Sequence, residues 1–182
     1  MLDDRTTTTS AKTVHGSIGE YLLAAPLLVA VACTAAALFG ALHNQASFTV
    51  APSYFHEFKF LQFGTPEALR TRLGASIVGV LASWWMGLIL GPLILAFAII
   101  SRPPRAMVRR FLLATAVVFT AATVSSAAGL AVARLGLLGR QTDFAAAGFM
   151  HNGAYLGAVL GAIFAAGLLT GLGIADRRAL SR

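Results

Sequence analysis

Four stretches of this chain contain no Asp, Glu, Lys, Arg or His: residues 22–42, 74–101, 111–133 and 156–175. Each approaches or exceeds the ~20 apolar residues that a helix needs to cross the ~30 Å hydrocarbon core of a bilayer. In hydrocarbon every backbone N–H and C=O must be satisfied internally, which leaves helices or a closed barrel. Runs this long, without period-two alternation, point to helices. The expected fold is therefore all-α: an integral-membrane four-helix bundle with spans at about 19–42, 73–100, 111–134 and 156–175. Residues 19–175 make one membrane domain. A polar, Thr-rich and disordered tail precedes it over residues 1–18, and a basic tail follows over 176–182. The composition agrees. Only 12% of the 182 residues are charged and the mean hydropathy is +0.76, whereas a soluble domain carries about 25% charged residues.

The net charge of +7 does not indicate nucleic acid, because the arginines sit in short clusters beside apolar runs. That placement marks topogenic charge and contact with anionic lipid. Arg5, Lys12 and the clusters at 102–110 and 177–182 fall on one side of the predicted bundle. Lys59, Arg70, Arg72, Arg134 and Arg140 fall on the other. The positive-inside rule puts both termini in the cytoplasm and the 43–72 and 135–155 segments on the outer face. The preference for Arg over Lys, with abundant Ala and Gly, suggests a GC-rich bacterial genome. Cys33 is the single cysteine, so no intrachain disulfide forms. It ends a short box similar to a lipoprotein cleavage site, but the apolar run continues past it, which favours an uncleaved span with a buried thiol. His15 belongs to the tail and is expected to be solvated.

Small residues recur every four positions in the spans. Gly153, Gly157 and Gly161 lie on one face of the fourth, and Ala121, Ser125 and Gly129 on one face of the third. Such faces let backbones approach closely, so spans three and four are expected to pack tightly. Pro26 and Pro92 are expected to bend their helices. Thr115, Thr123 and Ser126 share a face of span three, either lining a path for a small solute or bonding a carbonyl one turn back or across the bundle. Trp84 and Trp85 lie about ten residues into span two. They either wall a pocket or serve as packing and lipid-facing anchors.

Residues able to do chemistry crowd into two segments. His43 lies at the end of span one, His151 at the start of span four, and His56 and Glu57 in the long 43–72 segment, with Asp143 nearby in the second outer segment. Imidazole and carboxylate at one level could hold a transition metal, although there is no HExxH, no CxxC and no paired His at i, i+4. No other cofactor is implied. The lack of ionisable groups at depth argues against proton relays, ion pumps and voltage sensors, and against haem held within the bundle. The 43–72 segment is also aromatic, with Phe48, Tyr54, Phe55, Phe58, Phe60 and Phe63. A freely solvated loop does not carry that much apolar surface. It must rest on the bundle, dip into the membrane interface or meet a partner. Phe48 to Val50 could form a short strand ended by Pro52. Thr65-Pro66-Glu67 has the composition of a helix start.

His43-Asn44-Gln45, Thr49-Val50-Ala51-Pro52-Ser53-Tyr54-Phe55 and Phe58-Lys59-Phe60-Leu61-Gln62-Phe63, followed by the Arg72-Leu73-Gly74 entry and the Trp84-Trp85 span, carry a resemblance. The chain resembles an uncharacterised bacterial four-span inner-membrane family with an outer H-x-Q…P-x-Y-F…F-K-F-x-Q-F loop. The likeness covers mostly residues 43–91. It implies a four-span fold and a bacterial origin, and no activity.

Three functional classes follow. The first is a structural or accessory subunit that meets a membrane protein partner, or a second copy of itself, through the aromatic loop and the glycine faces. The second is a metal-binding membrane protein or enzyme using His43, His56, Glu57 and His151. The third is a handler of a small neutral solute or a lipid. The absence of any catalytic motif and the aromatic loop favour the first, with the lipid bilayer as a partner in every case.

Overall fold

The computed structural model describes residues 18–99 and 104–180. The Thr-rich tail with His15, residues 100–103 of the basic turn, and the last two residues lie outside them. Among the described residues there is no strand. Four long helices carry the structure: α1 (Ile18–Val50), α2 (Arg72–Ala98), α3 (Pro104–Arg134) and α4 (Asp143–Leu180). All four are long and apolar enough to cross a membrane. Their outward faces carry exposed apolar side chains such as Leu23, Leu42, Leu88 and Phe164, which suits a surface covered by lipid.

The helices pack as two antiparallel hairpins, α1 with α2 and α3 with α4. Glycine sets both seams. A Cβ on Gly79 of α2 would collide with the carbonyl oxygen of Gly40 in α1, and Gly87 lies against the backbone of Cys33. In the second hairpin, Gly153, Gly157 and Gly161 rest against the backbone of Ser125, Ala121 and Val118. Close backbone approach of this kind yields the dispersion contacts that hold membrane helices together. The two hairpins meet each other less intimately. One apolar core, with Leu28, Ile94, Met107, Phe111 and Leu169, fills the bundle at the end where α1 and α3 begin. There Arg110 of α3 pairs with Asp176 of α4 at 2.6 Å.

At the other end the chain departs from the expected boundaries. α1 does not stop near residue 42. It continues through Phe48, Thr49 and Val50, so the strand alternative is not what forms. The break comes at Ala51, which is extended at φ −150° and ψ 90°, because a residue preceding proline is pushed out of the helical region. Residues 52–71 then build a cap over the bundle. A turn of α-helix (Pro52–Tyr54) passes into a π-helical turn (Phe55–Lys59) and another α turn (Phe60–Gln62). Gly64 ends it at φ 59°, with Thr65 N–H donating to Phe60 O and Gly64 N–H to Leu61 O, the paired bonds of a Schellman stop.

Thr65-Pro66-Glu67 does not open the long helix either. Residues Glu67–Leu69 make one 3₁₀ turn, and α2 starts at Arg72, with the Thr71 hydroxyl accepting from Gly74 N–H. In the same way α4 begins at Asp143, with the Thr142 hydroxyl accepting from Ala145 N–H, so most of the 135–155 segment is helix. Both corrections have one cause: side-chain caps and tertiary contacts, rather than the edge of the apolar run, decide where these helices begin.

Candidate functional site

Between the two hairpins lies a cavity of about 90 Å³, lined by all four helices and by Lys59 of the cap. On α2 its lining runs from Val78 to Ile94, a length of ~24 Å at 1.5 Å per residue. So small a volume over so great a length makes a slot. Its deep walls are carbon, with Ala36, Met86, Leu90, Val118 and Ala158. Thr115 lines it too, but its hydroxyl donates to Phe111 O one turn back, as Thr123 does to Phe119 O.

The end beneath the cap is different. Here His43, Asn44, Lys59, His151 and Tyr155 line the cavity. The imidazoles of His43 and His151 face each other with ring centroids 4.6 Å apart. His43 Nε2 shares a hydrogen bond with Ser126 Oγ at 3.2 Å. His151 is only 8% exposed, stacks on Tyr54 at 5.1 Å, and its Nε2 has no hydrogen-bond partner among the described residues. An unsatisfied buried polar atom of this kind costs on the order of 1–3 kcal/mol. Asn44 Nδ2 donates to Ala75 O, and Gln45 with Arg72 ties the top of α1 to α2.

The cap supplies the rest. Its π turn, closed by Phe60 N–H donating to Phe55 O, takes one more residue than an α turn and turns Phe55, Lys59 and Phe60 inward together. Phe55 and Phe60 are fully buried, and with Val78 and Ala147 they form a small core under the cap. Lys59 is 8% exposed. Its Nζ donates to Gln62 Oε1 at 3.2 Å and sits over the Phe58 and Tyr54 rings. Burial lowers the Lys59 pKa below its ordinary value of 10.5. Burial, with Tyr155 adding to it, pushes Tyr54 up to about 12, so Tyr54 keeps its proton and serves the site as a neutral ring.

The sequence-predicted residues therefore divide. His43 and His151 meet. His56 and Glu57 are exposed on the cap, where His56 packs against Phe48 and Phe60. Asp143 pairs with Arg134. Among the described residues no three His, Cys, Asp or Glu side chains gather as a metal-holding group. Phe55 and Phe60 point into the protein, and Phe58 alone of the three stays 40% exposed. Trp84 and Trp85 are each 43% exposed and do not line the slot. Their neighbours Ser83 and Met86 do, since the helix period turns the tryptophans to the outer face. Lys59, Asn44 and Tyr155 were not singled out from sequence. The one available signal was a lone lysine inside an aromatic run.

Fold and site together describe an α-helical protein of the multi-pass membrane type, with an apolar slot that ends in buried polar groups. No protein-family model, curated protein or solved structure matches this chain.

Proposed function

We propose that the protein holds a slender amphiphile, an apolar chain with a polar head, in the slot between its hairpins. In this reading it is a bacterial inner-membrane protein with both termini in the cytoplasm and the cap as an ordered outer segment. The supporting observation is the pairing of a long carbon-walled slot with an orphaned buried nitrogen, His151 Nε2, at one end. Binding sites typically combine an apolar wall with a few polar groups that orient the ligand, and ionisable residues buried in membrane proteins mark functional positions. The orientation rests on the arginine distribution.

The test is extraction of small molecules from detergent-purified protein, followed by mass spectrometry. Wild type is compared with Ala122→Leu and Ala36→Leu, which place leucine at two slot-lining positions. A near-stoichiometric amphiphile is expected in wild type and at least a tenfold lower yield from both variants, at unchanged helicity. Equal yields from all three would remove the slot as its site.

A second reading is an accessory subunit that meets a membrane protein partner through the cap. It rests on Phe58 and on Leu61, which is 57% exposed. Crosslinking from position 58 or 61 in native membranes is the measurement, and a partner-free monomer would count against it.

A further inference from the structure

Building on the slot reading, we propose that the head group it takes is a carboxylate: the ligand is an aliphatic carboxylate whose charge is met by Lys59 and whose oxygen is hydrogen-bonded by His151. Lys59 carries the argument. It is an ammonium-bearing side chain buried against the cavity, and its one hydrogen bond goes to a neutral amide oxygen. The ion pairs Arg110–Asp176 and Arg134–Asp143 lie elsewhere. Among the described residues no Asp or Glu lines the cavity, and Glu57, two residues away in sequence, is exposed. A buried charge is stable when it is paired and hydrogen-bonded. The aromatic faces of Phe58 and Tyr54 compensate part of it; an anion arriving from the slot would complete the pairing.

His151 gives the second, independent observation. Its buried, unpartnered Nε2 belongs to the same end of the same cavity. As the N–H tautomer it donates to an anionic oxygen, while the neighbouring His43 is engaged with Ser126. One ammonium and one imidazole suit a singly charged, compact head. Among the described residues no arginine lines the cavity, and arginine supplies the forked donors suited to phosphate. The apolar lining beyond this end accommodates the aliphatic chain.

The experiment uses the full chain in nanodiscs of zwitterionic lipid, with octanoate, 1-octanol and octyl phosphate as probes at matched free concentrations. Binding is read by native mass spectrometry. Octanoate is expected to bind wild type at least tenfold more tightly than either other probe. Lys59→Gln should bring octanoate to the level of octanol and leave octanol binding in place, whereas Lys59→Arg should keep part of the preference. His151→Phe should weaken octanoate several-fold with little change for octanol, which guards against a misfolded Lys59 variant. Equal binding of octanoate and octanol by wild type, a preference that survives Lys59→Gln, or tighter binding of octyl phosphate would overturn the carboxylate assignment and leave the slot reading standing. Binding of none of the three would overturn both.

Discussion

Within each hairpin, backbone meets backbone: Gly79 lies on the Gly40 carbonyl and Gly157 on that of Ala121. Between the hairpins, side chains such as Ala36, Met86 and Val118 stand back from one another and leave the slot. The same helices build both arrangements, on faces less than half a turn apart. On α2, Gly79 belongs to the seam while Val78, one position earlier, lines the cavity, and Gly87 packs in the seam at the border of the cavity that Met86 lines. Membrane helices have no strong hydrophobic drive toward each other, because lipid tails are as apolar as leucine. Tight packing arises where small residues allow it and is lost where they do not. A protein can therefore keep an internal slot beside firm seams, provided that the seams alone secure the bundle.

That contrast makes predictions that can break it. The largest effect belongs to the seams. Gly79→Leu and Gly157→Leu push a branched side chain into a backbone carbonyl, and overpacking costs about 1–3 kcal/mol or more. Both are expected to lower the midpoint of thermal unfolding in detergent sharply, or to prevent recovery of a monodisperse protein. A leucine at either position that unfolds like wild type would show that the seam is looser than its geometry. Ala122→Leu sharpens the comparison from the other side. Ala122 faces the slot, so the added carbons enter empty space, and the unfolding midpoint should stay within the equivalent of about 1 kcal/mol of wild type. A loss as great as that of Gly157→Leu would mean that the slot is not free volume.

The smallest effect distinguishes Arg134–Asp143 from Arg110–Asp176, ion pairs of the second hairpin. Arg134 and Asp143 are both largely exposed, with side chains 50% and 62% accessible, and exposed pairs contribute about 0–1 kcal/mol. Asp143→Asn should hardly move the unfolding midpoint. Arg110 is buried where it meets Asp176, so Asp176→Asn should cost more, because it strips a carboxylate from a buried guanidinium. The reverse order would contradict the burial of Arg110.

Much of the scaffold is visible in the chain before it folds. The four spans follow from apolar length alone, because the bilayer sets the length a helix must have. The glycines at 153, 157 and 161 show their seam through four-residue spacing, a property of one helix and its own period. The cap was less legible. Its aromatic run indicated apolar burial, but which rings turn inward depends on a π turn between Phe55 and Lys59 and on a Schellman stop at Gly64. Both are hydrogen-bonding outcomes rather than residue patterns. Trp84 and Trp85 illustrate the same gap. Adjacent tryptophans carry no sign of which way the helix faces, and the packing of Gly79 and Gly87 against α1 is what turns them outward.

The sequence by itself determined an all-helical chain with four membrane-length helices and the small-residue faces that allow the hairpins to close. These are properties of single segments and of their solvent. Only the tertiary structure decided that His43 and His151 share one end of a cavity, that Lys59 joins them from the cap, and that His56 and Glu57 do not. No local interaction links those residues. Their meeting depends on the register of two seams and on the rotation of each helix about its own axis, which long-range packing sets.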